Sequence, residues 1–182
     1  MTQNIDSFQT ARLRAERIED SHLSELIRLW QDERVMASVG GVRSGERTGK
    51  MFQNSLDHWT QFGFGRWAWR EIASGRFVGL CGLRCLTLEG WPEVSLGYLL
   101  YPEFWGKGLA TEAAQAVLGI AFDRLGMESI IALTTPDNAA SRRVMEKSGM
   151  QYNRETLYEN IPHVLYQITH AQWARLQPPA QE

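Results

Sequence analysis

The chain has 182 residues, enough for one domain with a substantial core, and 43% of them are hydrophobic. Its net charge of −2 lacks the basic footprint that nucleic acid requires, and no apolar stretch reaches the length of a membrane span. The N-terminus has no signal-peptide pattern, so a soluble, cytoplasmic protein is expected. Cys81 and Cys85 lie four residues apart in a strand-like run, roughly 13 Å, which is too far for a disulfide. They read as reduced thiols. Four scattered histidines (His22, His58, His163 and His170) give no metal-ligand spacing, so no metal is expected.

In chain order, residues 10–17 alternate weakly and predict a strand. Asp20 and Ser21 offer N-caps to a helix whose apolar face holds Leu23, Leu26, Ile27 and Trp30. A loop rich in glycine, serine and arginine spans residues 39–49, and a second helix is predicted over 46–62, stopped by Gly63 and Gly65. Strands follow over 66–73 and 76–86, joined by the turn pair Ser74-Gly75. Gly90-Trp91-Pro92 turns the chain into a strand over 93–101, which Pro102 ends. A long helix covers 110–125 and a short strand 129–135. Asn138 then caps a helix over 139–147, closed by Gly149. Two strands, 151–158 and 163–169, meet at a turn over 160–162, and the tail 178–182 is expected to be loose. This order predicts one α/β (α+β) domain over 1–182, with its core about 10–173, a mixed sheet and helices on both faces.

The stretch with most chemical content is Trp105-Gly106-Lys107-Gly108-Leu109-Ala110-Thr111-Glu112. A strand that turns through glycines into a helix N-terminus leaves backbone N–H groups converging on one point, and the helix dipole favours an anion there. Gly106 and Gly108 allow close approach, and Lys107 adds a positive charge. A phosphate-bearing ligand is therefore expected. The Walker loop is absent, and the dinucleotide fingerprint fails because Thr111 stands where a third glycine or alanine is needed.

The strand ending in Leu99-Leu100-Tyr101-Pro102, the loop, and the run Asn138-Ala139-Ala140-Ser141-Arg142-Arg143-Val144-Met145-Glu146-Lys147-Ser148-Gly149-Met150 together resemble the GCN5-related N-acetyltransferase (GNAT) superfamily. The opening Thr10-Ala11-Arg12-Leu13-Arg14 matches its branch of ribosomal-protein N-terminal acetyltransferases. The resemblance implies a mostly antiparallel sheet of about seven strands, splayed between the fourth and fifth. It also implies acetyl-CoA as cosubstrate. Trp105, Gly106, Lys107, Gly108, Leu109 and Ala110 fall on the pyrophosphate loop, with tryptophan where the superfamily usually has glutamine or arginine, and Thr111 follows. Asn138 falls where relatives contact the pantetheine arm, and Ser141 and Lys147 lie on or near the cofactor side. A backbone N–H at a strand bulge, Leu99 or Leu100 here, is expected to hold the thioester oxygen.

Relatives transfer the acetyl group by direct attack of an amine, so no nucleophile constellation is needed. Glu93 shares a strand face with Ser95, Gly97 and Leu99 and is the expected base, acting directly or through water. Many relatives place a tyrosine acid on the helix after Asn138; this helix has none, and Ser141 is the nearest hydroxyl. By resemblance the acceptor is walled by residues 30–48 and 157–163, with Trp30 and Tyr158 as contacts and Arg34, Arg43 and His163 nearby. Gly40, Gly41 and Gly45 are expected to let that wall close. The acceptor is a primary amine, either a protein N-terminal α-amine or a small molecule. A non-catalytic acyl-CoA-binding module and a homodimer remain open alternatives.

Overall fold

The computed structural model describes residues 5–177. The predicted loose tail lies outside the described residues. Eight strands form one sheet in the order β1-β2-β3-β4-β5-β6-β8-β7. They are β1 (Ser7–Gln9), β2 (Leu13–Arg17), β3 (Arg66–Glu71), β4 (Phe77–Leu88), β5 (Trp91–Leu100), β6 (Ser129–Thr134), β7 (Gln151–Tyr158) and β8 (Ile161–Thr169). The helices are α1 (Leu23–Gln31), α2 (Glu33–Met36), α3 (Gly45–Phe62), α4 (Leu109–Gly119), α5 (Ala139–Lys147) and α6 (His170–Leu176). All neighbouring strands run antiparallel except β5 and β6, which are parallel.

The sheet has one strand more than the sequence predicts. Ser7–Gln9 is too short to show a period of its own and exists as a strand through its pairing with Arg14–Glu16. The splay lies between the two strands predicted at 93–101 and 129–135, which the added strand makes β5 and β6. The helix predicted over 110–125 begins one residue earlier and passes at Ile120–Arg124 into a π turn. The sequence reading also omits α6, whose start carries a capping box: Thr169 and Gln172 satisfy each other's backbone N–H groups. Glu159 and Asn160 turn the last hairpin with positive φ, so Ile161 and Pro162 belong to β8.

Alternation along the central strands sends side chains to two cores. Trp67, Cys81, Leu83, Leu96 and Leu100 pack with α4, α6 and Met145 of α5. On the opposite face, Leu80 and Leu99 pack with Leu26, Leu29 and Trp30 of α1, with α2, and with Phe52 of α3. The α1–α3 hairpin thus covers one face and the α4–α5 pair the other. Ser44 caps α3 and Gly63, at φ 71°, ends it, as the sequence signals.

Gly79 secures the end of β5 that leads into the glycine loop. It adopts φ 153°, and a Cβ there would overlap the Leu99 carbonyl oxygen and stand 2.8 Å from Leu100 Cα. These are backbone atoms of a central strand and cannot move aside alone. Gly79→Ala is expected to lower stability by about 2 kcal/mol or more. Urea denaturation checks this; a loss under about 0.5 kcal/mol would mean that the two strands are not packed this closely.

Candidate active site

The loop between β5 and α4 has the form the sequence anticipates. Gly106 and Gly108 are left-handed, at φ 72° and 77°, and Gly108 is the N-cap of α4 with no side chain to satisfy the helix end. The first bond inside the helix runs from Glu112 N–H to the Gly108 carbonyl. The N–H groups of Leu109, Ala110 and Thr111 precede it and have no intrahelical acceptor. Nothing stands within 4 Å of the space a Cβ on Gly106 would fill, so the cradle is open to an incoming group. Leu109 is buried and offers only its backbone, while Lys107 is exposed, with Nζ 5.6 Å from the centre of the Phe104 ring. Trp105 turns its indole back and donates to the Leu100 carbonyl at 2.7 Å. It fixes the loop to the strand it leaves.

A second brace comes from the turn between β1 and β2, about a hundred residues away in sequence. Glu112 accepts from Thr10 Oγ1 at 2.5 Å, from Arg12 N–H at 2.8 Å and from Arg12 Nε at 2.6 Å. Arg12 also donates to the Lys107 carbonyl at 2.9 Å. Burial works to raise the Glu112 pKa, but these hydrogen bonds and the Arg12 charge outweigh it and hold the carboxyl below its ordinary value. No local spacing in the sequence announces this contact.

The cleft lies where β5 and β6 separate. They share one bridging pair, Ser95 with Ile131, and no pairing follows it. Tyr101 N–H donates to Val78, across from β4. Alternation then turns Leu99 toward β4 and turns Tyr98 and Leu100 away from it, into the splay. The β4–β5 register is unbroken from Leu88 opposite Trp91 to Gly79 opposite Leu100, so the expected bulge is absent there; the irregularity falls between β3 and β4 at Trp69/Arg70. Leu99 is corrected accordingly: its N–H belongs to the ladder. Tyr98 and Leu100 are the donors that face the cleft.

Across the cleft, Asn138 caps α5 by accepting from Ser141 N–H at 3.0 Å. Tyr98 spans the gap from β5: its hydroxyl lies 2.9 Å from the Ser141 carbonyl and 3.0 Å from Ser141 Oγ. Burial raises the Tyr98 pKa, so the phenol stays protonated through the physiological range. The hydroxyl that meets Ser141 thus comes from the facing strand, on a tyrosine that the period-two pattern of β5 places opposite the face of Glu93. Lys147 is exposed at the far end of α5 and is not brought to Asn138 and Ser141.

The other predicted residues spread over the α1–α3 face. Glu93 points to that face, as alternation predicts, but lies on the closed side of the Ser95–Ile131 bridge, in a depression with Phe62, Met127 and Glu128. Four residues of strand put it about 13 Å from Gly97. Trp30 is wholly buried within the helical core, and its Nε1 has no hydrogen-bond partner. Tyr158 is half-buried, under the Arg84 guanidinium and against His163. Arg34 is bound to Asp32, and Arg43 to the carbonyls of Val39 and Gly40, which ties the glycine loop down. Cys81 and Cys85 are free thiols whose pKa values burial raises, which suits no nucleophilic role.

A splayed parallel pair, an uncapped glycine-led helix and a facing helix capped by asparagine define an acyl-CoA-binding class of fold. The acetyltransferase (GNAT) domain model matches residues 12–151, and the chain belongs to that family. It is 30% identical to the uncharacterized protein YkkB of Bacillus subtilis, over 87% of this chain and 92% of that one. Among solved structures it resembles an acetyltransferase of Agrobacterium tumefaciens, with TM-score 0.81, 26% identity, and coverage of 92% and 96% of the two chains. It shares the fold, at TM-score 0.71 and 19% identity, of RimL, a ribosomal L7/L12 α-N-protein acetyltransferase in complex with coenzyme A, with coverage of 88% and 95%. The chain is an acetyl-CoA-dependent N-acetyltransferase. No helix among the described residues is long and apolar enough to cross a membrane.

The Glu112 brace gives a pH signature. A carboxylate with a depressed native pKa contributes stability above its unfolded pKa, about 4.3, and loses it as pH falls through the lower native value. The thermal midpoint of Glu112→Gln should therefore lie below that of the native protein at neutral pH, with the gap closing in acid. Thermal melts between pH 3 and 7 check this; a gap that stays constant would show that the carboxylate is not what holds the turn.

Proposed function

We propose that the protein acetylates a primary amine by direct attack, with the pyrophosphate of acetyl-CoA on the α4 N-terminus and the pantetheine arm along the free edge of β5. The observation that carries this reading is the pair of unpartnered N–H groups, Tyr98 and Leu100, between the loop and the closed end of the splay. The Gly106–Thr111 backbone and Lys107 hold the phosphates, Arg12 keeps the loop in shape, and Asn138 borders the arm. The Ser95–Ile131 bridge stops the arm, which places the acetyl group near Gly97.

The chain's own groups then divide the work. The backbone N–H of Tyr98 or Leu100 stabilises the thioester oxygen as negative charge develops on it. The amine nitrogen attacks the thioester carbon and the carbon–sulfur bond breaks. The Ser141 hydroxyl, positioned by Tyr98, keeps its proton and donates a hydrogen bond to the sulfur, which leaves as thiolate from the α4–α5 side and takes its proton from water. The amine arrives from the opposite, α1–α3 side. Its surplus proton leaves through water, and Glu93 receives that proton only at the end of such a chain. Tyr158 borders the acceptor, which is either a protein N-terminal α-amine or a small amine.

Removal of the hydroxyl tests the assignment. Ser141→Ala is expected to lower kcat by about 10²-fold while the KM for acetyl-CoA changes less than about threefold. Tyr98→Phe should give a smaller loss of kcat, because it removes only the positioning bond. Steady-state kinetics with a fixed amine acceptor separates the constants. An unchanged kcat in Ser141→Ala would leave the thiolate to depart without help from α5.

A further inference from the structure

Arg66 opens β3 on the α1–α3 face, and its surroundings are unusual for a cation. Its partner across the ladder is Gly82 of β4, whose own partner is Gly97 of β5. A Cβ on Gly82 would overlap Arg66 Cα and come within 2.5 Å of the Gly65 carbonyl oxygen. The two glycines leave a trough across three strands, and the Arg66 side chain lies along it. Its Nη2 is the nearest atom to the space above Gly97, 3.5 Å from where a Cβ would stand. The guanidinium therefore reaches the closed end of the splay, on the side opposite Tyr98 and Ser141.

Among the described residues no carboxylate pairs with this charge. Arg66 Nε is sealed from solvent and has no hydrogen-bond partner, while the residue as a whole remains partly open. The ionisable groups coupled to it are Arg84, Cys81 and Tyr158. Arg84 is a second cation on the same face, two residues along β4 from Gly82 and about 7 Å away by strand rise. Its guanidinium stands over the Tyr158 ring, 5.4 Å from the centre, and it forms no ion pair among the described residues. His58, the nearby base, is committed: Nε2 accepts from Cys85 N–H at 2.9 Å, and Nδ1 is 2.8 Å from the Phe64 carbonyl. Two adjacent cations without counter-charge, one with a sealed and unsatisfied donor, are costly unless something anionic completes them.

We propose that the acceptor amine carries a carboxylate, and that Arg66, assisted by Arg84, binds that carboxylate over Gly97 and so places the amine against the acetyl group. The proposal rests on the N-acetyltransferase reading above and names its substrate class. The terminal nitrogen of Arg66 over Gly97, with the Arg84 guanidinium on the same face, supplies charge-assisted donors that the oxygens of a carboxylate accept. Such donors discriminate against the uncharged analogue, because binding it leaves them unpaired. A phosphate would supply the same charge with a tetrahedral shape.

The test is an acetyl-CoA turnover screen with matched primary amines: amino acids, their carboxamides, their decarboxylated counterparts, aminoalkyl phosphates and the polyamine spermidine. The native protein should acetylate at least one amino carboxylate with kcat/KM roughly tenfold or more above its own carboxamide and decarboxylated form. Arg66→Met should abolish that preference by raising the KM for the carboxylate about 10- to 100-fold, with the KM for acetyl-CoA unchanged. Arg84→Met should shift it in the same direction by less, and serves if Arg66→Met does not fold. A preference for aminoalkyl phosphates that disappears in both variants would uphold the anion site and overturn the carboxylate. A preference for spermidine or the carboxamides, or a carboxylate preference that survives both substitutions, would overturn the proposal. Acetyl-CoA that binds, as read by calorimetry, without turnover of any anionic amine would also overturn it and leave the underlying reading standing. Acetyl-CoA that fails to bind would remove the reading itself.

Discussion

Beyond the Ser95–Ile131 bridge the sheet contains a backbone edge with no strand beside it. Buried N–H and carbonyl groups in that condition cost on the order of 1–3 kcal/mol each unless something pairs with them. One of the carbonyls is satisfied within the chain, since the Trp105 indole caps Leu100. The N–H groups of Tyr98 and Leu100 remain. A domain that keeps such an edge at its centre holds a place for an extended ligand, and the cofactor arm of acetyl-CoA is extended and rich in amides. The loop, the helix end and the facing helix are arranged around that vacancy in the ladder.

The two faces of the sheet then take different duties. The α4–α5 side carries the Tyr98 and Ser141 hydroxyls, and burial keeps the Tyr98 phenol protonated there. The α1–α3 side carries the Arg66 and Arg84 guanidinium groups and the Tyr158 ring. This division follows from β-strand alternation, because successive residues of β5 point to opposite sides. The long-range brace through Thr10, Arg12 and Glu112 holds the glycine loop at the open end of the same cleft.

Local signals in the sequence were reliable wherever the structure depends on local chemistry. The α5 bounds follow from the Asn138 cap and the Gly149 stop, and the left-handed turns before α4 follow from two glycines ahead of a helical run. The rest depends on register. Ser7–Gln9 is a strand only because β2 lies beside it, and Arg66 reaches Gly97 only because two glycines, one in β4 and one in β5, fall in line with it. Trp30 shows the same limit: a tryptophan on a helix face reads equally as groove or core, and the packing of α1 on Leu80 and Leu99 makes it core. Glu93 was placed on its correct face by alternation, but the position of the β5–β6 bridge, invisible in either strand alone, sets its distance from the cleft.

The central claim is that the cofactor completes the interrupted ladder. Amide hydrogen exchange, followed residue by residue with and without acetyl-CoA, reads this directly. The account predicts that exchange slows at Tyr98 or Leu100 together with the amides of Gly106 and Gly108–Thr111, while Leu99, already paired with β4, is unaffected. Protection confined to the glycine loop, with the amides of Tyr98 and Leu100 exchanging as fast as in the free protein, would contradict it.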